Sequence, residues 1–180
     1  MSDHRYGHFD TLEYLANGNP RQQDAYTVLS HHCVFQKLTR YGPILVGTVP
    51  ICVDIEGSDL DIICCFEDAV RFSEEVKAAF GQYQAFNVET VVVNDQSSVV
   101  ANFTLGGQLI EVFGQAMSVK EQNGYRHMIA EYELLRVHGE SLKQQVVHLK
   151  RQGIKTEPAF AQALGLSGDP YQALLDLYPL

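Results

Sequence analysis

The segment that most narrows what this chain can fold into is Asp59-Leu60-Asp61-Ile62-Ile63-Cys64-Cys65, where two carboxylates alternate with apolar residues. In a strand, successive side chains point to opposite faces, so Asp59 and Asp61 share one face while Leu60 and Ile62 enter the layer beneath the other. A loop Asp-x-Asp is ordinarily just solvated, but a buried strand rarely carries alternate charges without a partner. Two carboxylates held this way repel, and a divalent cation relieves the repulsion. Glu111, between Ile110 and Val112, is a third carboxylate in the same setting. Should its strand pair beside Asp59 and Asp61, the three converge into a hard-oxygen site. Such a site suits one or two Mg²⁺ ions, with Mn²⁺ able to stand in for them. Asp54 and Glu56, beside the Gly57-Ser58 turn, are read as solvated.

Around this segment the residues read as an α+β domain with a mixed sheet. A short helix is expected around 10–16, then a helical stripe from Pro20 through Ala25, Val28, Leu29, Val34, Phe35 and Leu38, ended by Gly42-Pro43. Ile44-Leu45-Val46-Gly47-Thr48 reads as a short buried strand, with a second extended piece at 51–53. A strand over 59–66 precedes an amphipathic helix over 67–80 with Val70, Phe72, Val76, Ala79 and Phe80 inward. Strands at 86–93, 98–105 and 108–113 follow, the last two joined by the tight-turn pair Gly106-Gly107. From 119 to about 151 the pattern is helical, with Gly124 and Gly139 as candidate breaks, and two short helices start near Pro158 and Pro170. The expected division is an α/β core over 1–118 and a helical extension over 119–180 packed on it.

Composition excludes some classes of function. The chain has 13 Lys+Arg against 22 Asp+Glu and a formal charge of −9. That balance argues against coating long nucleic acid, which requires neutralising many phosphates, and against a polybasic membrane-surface binder. No apolar run approaches the roughly 20 residues needed to span a bilayer. The opening Met1-Ser2-Asp3-His4-Arg5-Tyr6 shows no secretory signal, so a cytoplasmic protein is expected. Cys33, Cys52, Cys64 and Cys65 lack metal-ligand spacing and read as small apolar residues of a reduced chain.

Gly47-Thr48 comes at the end of a buried strand, upstream of Asp59. A glycine there lets a phosphate approach the backbone, and the threonine hydroxyl and nearby N–H groups can donate to its oxygens. Alone this would be a turn glycine; followed by Asp59, Asp61 and Glu111, it resembles the nucleotidyltransferase superfamily, which includes DNA polymerase beta. Thr48 departs from the Ser or Gly usual there. Over most of its length the chain also resembles a small bacterial family of unknown function, on stretches such as Pro43-Ile44-Leu45-Val46-Gly47-Thr48 and Tyr125-Arg126-His127-Met128.

The resemblance implies Mg²⁺-dependent transfer of a nucleoside monophosphate from an NTP to a hydroxyl acceptor, with release of pyrophosphate. Asp59, Asp61 and Glu111 would be the catalytic metal ligands, and Gly47 and Thr48 would hold phosphates. The alternative is a catalytically silent nucleotide-binding or protein-interaction module on the same fold. Gln122 and Arg126, four apart, would share a helix face towards the cleft, where Arg126 either clamps a phosphate or pairs with an acidic strand residue. Tyr125 is read as packing, and His127 as a structural histidine. Residues 120–155 carry a net +3, leaving −12 on the rest of the chain, so this helix either attracts an anionic substrate or docks against the acidic part.

Overall fold

The computed structural model describes residues 5–93 and 95–178. After a 3₁₀ turn over Gly7–Asp10 come helices α1 (Glu13–Ala16), α2 (Pro20–His31) and α3 (Val34–Leu38), then strands β1 (Ile44–Val46) and β2 (Leu60–Cys65). Helix α4 (Ala69–Phe80) leads to β3 (Gln84–Val93), β4 (Gln96–Leu105) and β5 (Gln108–Gln115), followed by α5 (Asn123–Arg151), α6 (Thr156–Leu164) and α7 (Pro170–Leu177). The strands form one mixed sheet in the order β1-β2-β5-β4-β3. Among the described residues only β2 and β5 pair in parallel; the other neighbours run antiparallel. The fold is therefore α+β, as expected.

Local chemistry explains most boundaries. Asn19 closes a capping box with Gln22 at the start of α2, where Pro20 needs no hydrogen-bond donor. Asp68 caps α4 by accepting from the Val70 and Arg71 amides. Gly106 and Gly107, at φ of +56° and +80°, supply the left-handed residues of the β4–β5 hairpin.

The sheet separates two apolar layers. Leu45, Leu60, Ile62, Cys64, Ile110 and Val112 pack against α2, α3 and α4. On the other face Ile44, Val46 and Ile63 meet α5, α6 and α7 through Tyr125, Met128, Ile129, Phe160 and Leu174. Gly124 lies in the first turn of α5, where an added Cβ would stand 3.5 Å from Val46 and 3.6 Å from Ile63. The helix consequently starts close over β1 and β2.

Four expectations need correction. The stripe from Pro20 to Leu38 is not continuous, because Cys33 adopts φ 54° and separates α2 from α3. Residues 51 and 52 end a turn instead of extending, with the Cys52 amide donating to the Val49 carbonyl and Cys52 itself at φ 61°. Val70 is 68% exposed, since it sits in the first turn of α4 before the buried stripe of Phe72, Val76 and Phe80 begins. Asp59 lies one residue ahead of β2 instead of within it. Of the candidate breaks in the long helix, Gly139 is the real one, at φ 66° and ψ −154°; Gly124 remains helical. Among the described residues no helix is long and apolar enough to cross a membrane.

Candidate active site

Parallel pairing of β2 and β5 sets Asp61 directly beside Glu111, and antiparallel pairing with β1 sets it beside Val46. Leu60, Ile62, Ile110 and Val112 all enter the layer against α2–α4, so alternation turns Asp61 and Glu111 to the other face together. That face opens into a cleft of about 720 Å³, whose lining includes Gly47, Thr48, Asp59, Asp61, Glu111 and Arg126. All six residues singled out in the sequence thus border one cavity.

Gly47, at φ +79°, is required where it stands, since a Cβ would collide with Oδ2 of Asp61. The missing side chain is what allows the carboxylate to lie against the end of β1. The loop leading to Asp59 is anchored from several elements. Gln22 Nε2 donates to the carbonyls of Val49 and Pro50 at 3.0 and 3.1 Å, and Lys150 Nζ to that of Val53 at 2.8 Å. Arg21 Nη2 donates to the Ser58 carbonyl at 2.8 Å, next to Asp59, and the Ile55 amide donates to Ser58 Oγ at 2.9 Å. Asp59 itself is exposed at the mouth of the cleft.

The carboxylates are in electrostatic conflict. Burial, then the charges of Asp59 and Glu111, push the Asp61 carboxyl up to about 8, with Lys150 the opposing influence. Burial and Asp59 likewise raise Glu111. Among the described residues, no three His, Cys, Asp or Glu side chains are arranged as a metal-holding group. The carboxylates share a cavity and feel one another's charge without forming a closed cage.

Helix α5 supplies the opposite wall. Arg126 is half-buried, with Nη1 3.5 Å from Asn123 Oδ1, and no acidic strand residue pairs with it among the described contacts. Gln122 does not share its outlook: it is buried, and its Nε2 donates to the carbonyls of Cys64 at 2.9 Å and Met117 at 3.2 Å. The residue sits at the cap just before α5, so it ties the start of that helix to the end of β2. His127 is buried, with Nε2 3.1 Å from the Tyr171 carbonyl and Nδ1 3.7 Å from Glu157 Oε1, joining α5 to α6 and α7. Tyr125 packs in the apolar layer.

Sequence reasoning missed Glu131, Lys150 and Glu157, which also line the cleft. Glu131 is 3% exposed and Lys150 7% exposed. Burial, reinforced by Glu157, holds the Glu131 carboxyl well above its ordinary range, and burial lowers Lys150. A signal existed for both. Glu131 falls among Met128, Ile129, Ala130 and Leu134, and Lys150 continues the spacing of Leu142 and Val146, so each puts a charge on a buried helical stripe.

Comparison with known proteins places this architecture. Residues 27–177 match the family described as Domain of unknown function (DUF4269), and the chain belongs to that family. Comparison with curated proteins gave no match. Among solved structures, the Cid1 poly(U) polymerase bound to MgATP is similar at TM-score 0.55 and 13% identity, over 91% of this chain and 55% of that one. A cytoplasmic RNA terminal U-transferase aligns at TM-score 0.53 and 12% identity, over 85% of this chain and 52% of that one. The polymerase core of TRAMP, an RNA surveillance complex, aligns at TM-score 0.51 and 15% identity, covering 93% and 54%. The chain spans about half the length of these structures. At such identities the likeness establishes a nucleotidyltransferase-like fold.

Proposed function

We propose that this member of the DUF4269 family is a Mg²⁺-dependent nucleotidyltransferase, moving a nucleoside monophosphate from an NTP to a hydroxyl acceptor and releasing pyrophosphate. The observation that carries this reading is the pairing of Asp61 with Glu111 on one sheet face, against the end of β1 where Gly47 has no side chain. Asp59, Asp61 and Glu111 would hold the cation. Their hard oxygen donors suit Mg²⁺, or Mn²⁺ in its place, and burial with the neighbouring carboxylates raises Asp61 and Glu111, a cost of ionisation that a bound cation relieves. Bound divalent ions would neutralise the triphosphate and make the attacking hydroxyl more acidic.

The chain's own groups have the remaining roles. Gly47 lets phosphate oxygens come close to the backbone, and the Thr48 hydroxyl donates to them. Arg126, half-buried on the cleft wall, attracts the phosphates from the helical side. The acceptor oxygen attacks the α-phosphorus in line. The bond to the bridging oxygen breaks, pyrophosphate leaves, and Glu111 receives the hydroxyl proton. The charge of −9 disfavours long nucleic acid as the acceptor.

Isothermal titration with each NTP in the presence of Mg²⁺, beside transfer of label from an α-labelled NTP in cell extract, tests the proposal. Metal-dependent binding together with a labelled acceptor is the expected result. A folded sample that binds no NTP at millimolar concentration overturns it, and binding without transfer favours the silent module.

A further inference from the structure

Glu131 has no part in the chemistry proposed above, yet its placement is costly. It is 3% exposed and lines the cleft, and its Oε1 is buried with no hydrogen-bond partner. An unmet buried oxygen of this kind is destabilising and needs a reason. The cleft also contains Val46, Ile63, Phe113, Met117 and Met128, apolar walls of the sort that enclose a flat ring.

Charge narrows what Glu131 can receive. Lys150 is the cation acting on it, and Lys150 also lines the cleft with its ammonium bonded to the Val53 carbonyl. A second cation at the same place, whether a metal ion or a ligand ammonium, would be repelled by Lys150. An uncharged N–H donor would not be. An amino group on an aromatic ring combines such a donor with a surface that fits apolar walls. We infer that Glu131 is a specificity-determining residue for the nucleobase, its free oxygen accepting a hydrogen bond from an exocyclic amino group.

The inference rests on the proposed NTP substrate and names the base class it takes. Bases bearing an amino group satisfy Glu131. Uracil has no exocyclic amino group, and its single N–H lies between two carbonyl oxygens. A site built around a buried hydrogen-bonding group discriminates strongly against ligands that leave it unpaired.

Isothermal titration in Mg²⁺ with ATP, UTP and purine riboside triphosphate, which lacks the amino group, provides the test. Wild-type protein should bind ATP at least about tenfold more tightly than the other two. Glu131→Leu should level the three affinities, and Glu131→Gln, which keeps an accepting carbonyl, should preserve the ranking. Leucine removes a buried unpaired acid and should leave the fold intact; should it fail to fold, the ranking in Glu131→Gln decides. Equal affinities in wild type, an unchanged ranking in Glu131→Leu, or a lost ranking in Glu131→Gln overturns the inference while leaving NTP binding standing. Absence of binding by every nucleotide overturns the NTP reading itself, and this inference with it.

Discussion

Replacing Asp61 by Asn removes one charge from the most crowded point of the cleft, and its effect on stability can be worked out with its sign. The Asp61 carboxyl is pushed from an ordinary 3.8 to about 8 in the folded protein. Between those values the folded state holds a proton that the unfolded chain has released, so stability falls as pH rises. The contribution is complete below pH ~4 and is lost by the time pH has passed ~8, at a slope of up to about 1.4 kcal/mol per pH unit. A rise of that size corresponds to at most about 5–6 kcal/mol. Glu111, itself raised, can relieve part of it by taking up a proton, so about 2–3 kcal/mol is the expected span. Asn keeps the size of the side chain and does not ionise. Urea unfolding of both proteins without divalent cations should therefore give similar stabilities near pH 4 and an Asn variant about 2–3 kcal/mol more stable near pH 9. Buried Glu131 imposes a slope of the same sign on both proteins, so the difference between the curves is what matters. A difference that does not change with pH would refute the reasoning. A wild-type protein markedly more stable than the variant at every pH would make Asp61 a structural hydrogen-bond acceptor.

Further outcomes follow from the same geometry. Gly47→Ala combines a left-handed backbone with a collision against the Asp61 carboxylate, so it should cost about 1–3 kcal/mol by thermal melt and abolish Mg²⁺-NTP binding. Arg126→Ala should weaken NTP affinity about tenfold in titrations and leave the melting temperature within a degree or two, because its only described hydrogen bond is the long one to Asn123. Gly114→Ala drives a methyl group into the Phe72 ring on the opposite face of the sheet, away from the cleft. It should cost about 1–3 kcal/mol in urea unfolding without changing relative NTP affinities in the folded fraction. Chelating divalent cations should lower the melting temperature of the NTP-saturated protein and, by relieving no bound ion, leave the nucleotide-free, metal-free sample unchanged.

The order of elements, the α+β class and the carboxylate pattern were legible along the chain because each rests on local chemistry. Alternation in Asp59-Leu60-Asp61-Ile62, the Gly106-Gly107 turn and the stripe of Phe72, Val76 and Phe80 each carry their meaning within a few residues. The break at Cys33 and the turn at Cys52 were not legible, since a non-glycine residue enters the left-handed region only where surrounding contacts compensate for it. The sequence by itself supplied Glu111 as a third strand carboxylate, but the parallel β2–β5 register alone put it beside Asp61, from far along the chain. The collision that makes Gly47 obligatory, and the burial that leaves Glu131 with an unmet oxygen beside Lys150, exist only where three or more elements close on one cavity. Pairing between distant strands, and the low dielectric that helices packed over them create, are properties of the assembled fold, and they decide which of the chain's many charges become chemically unusual.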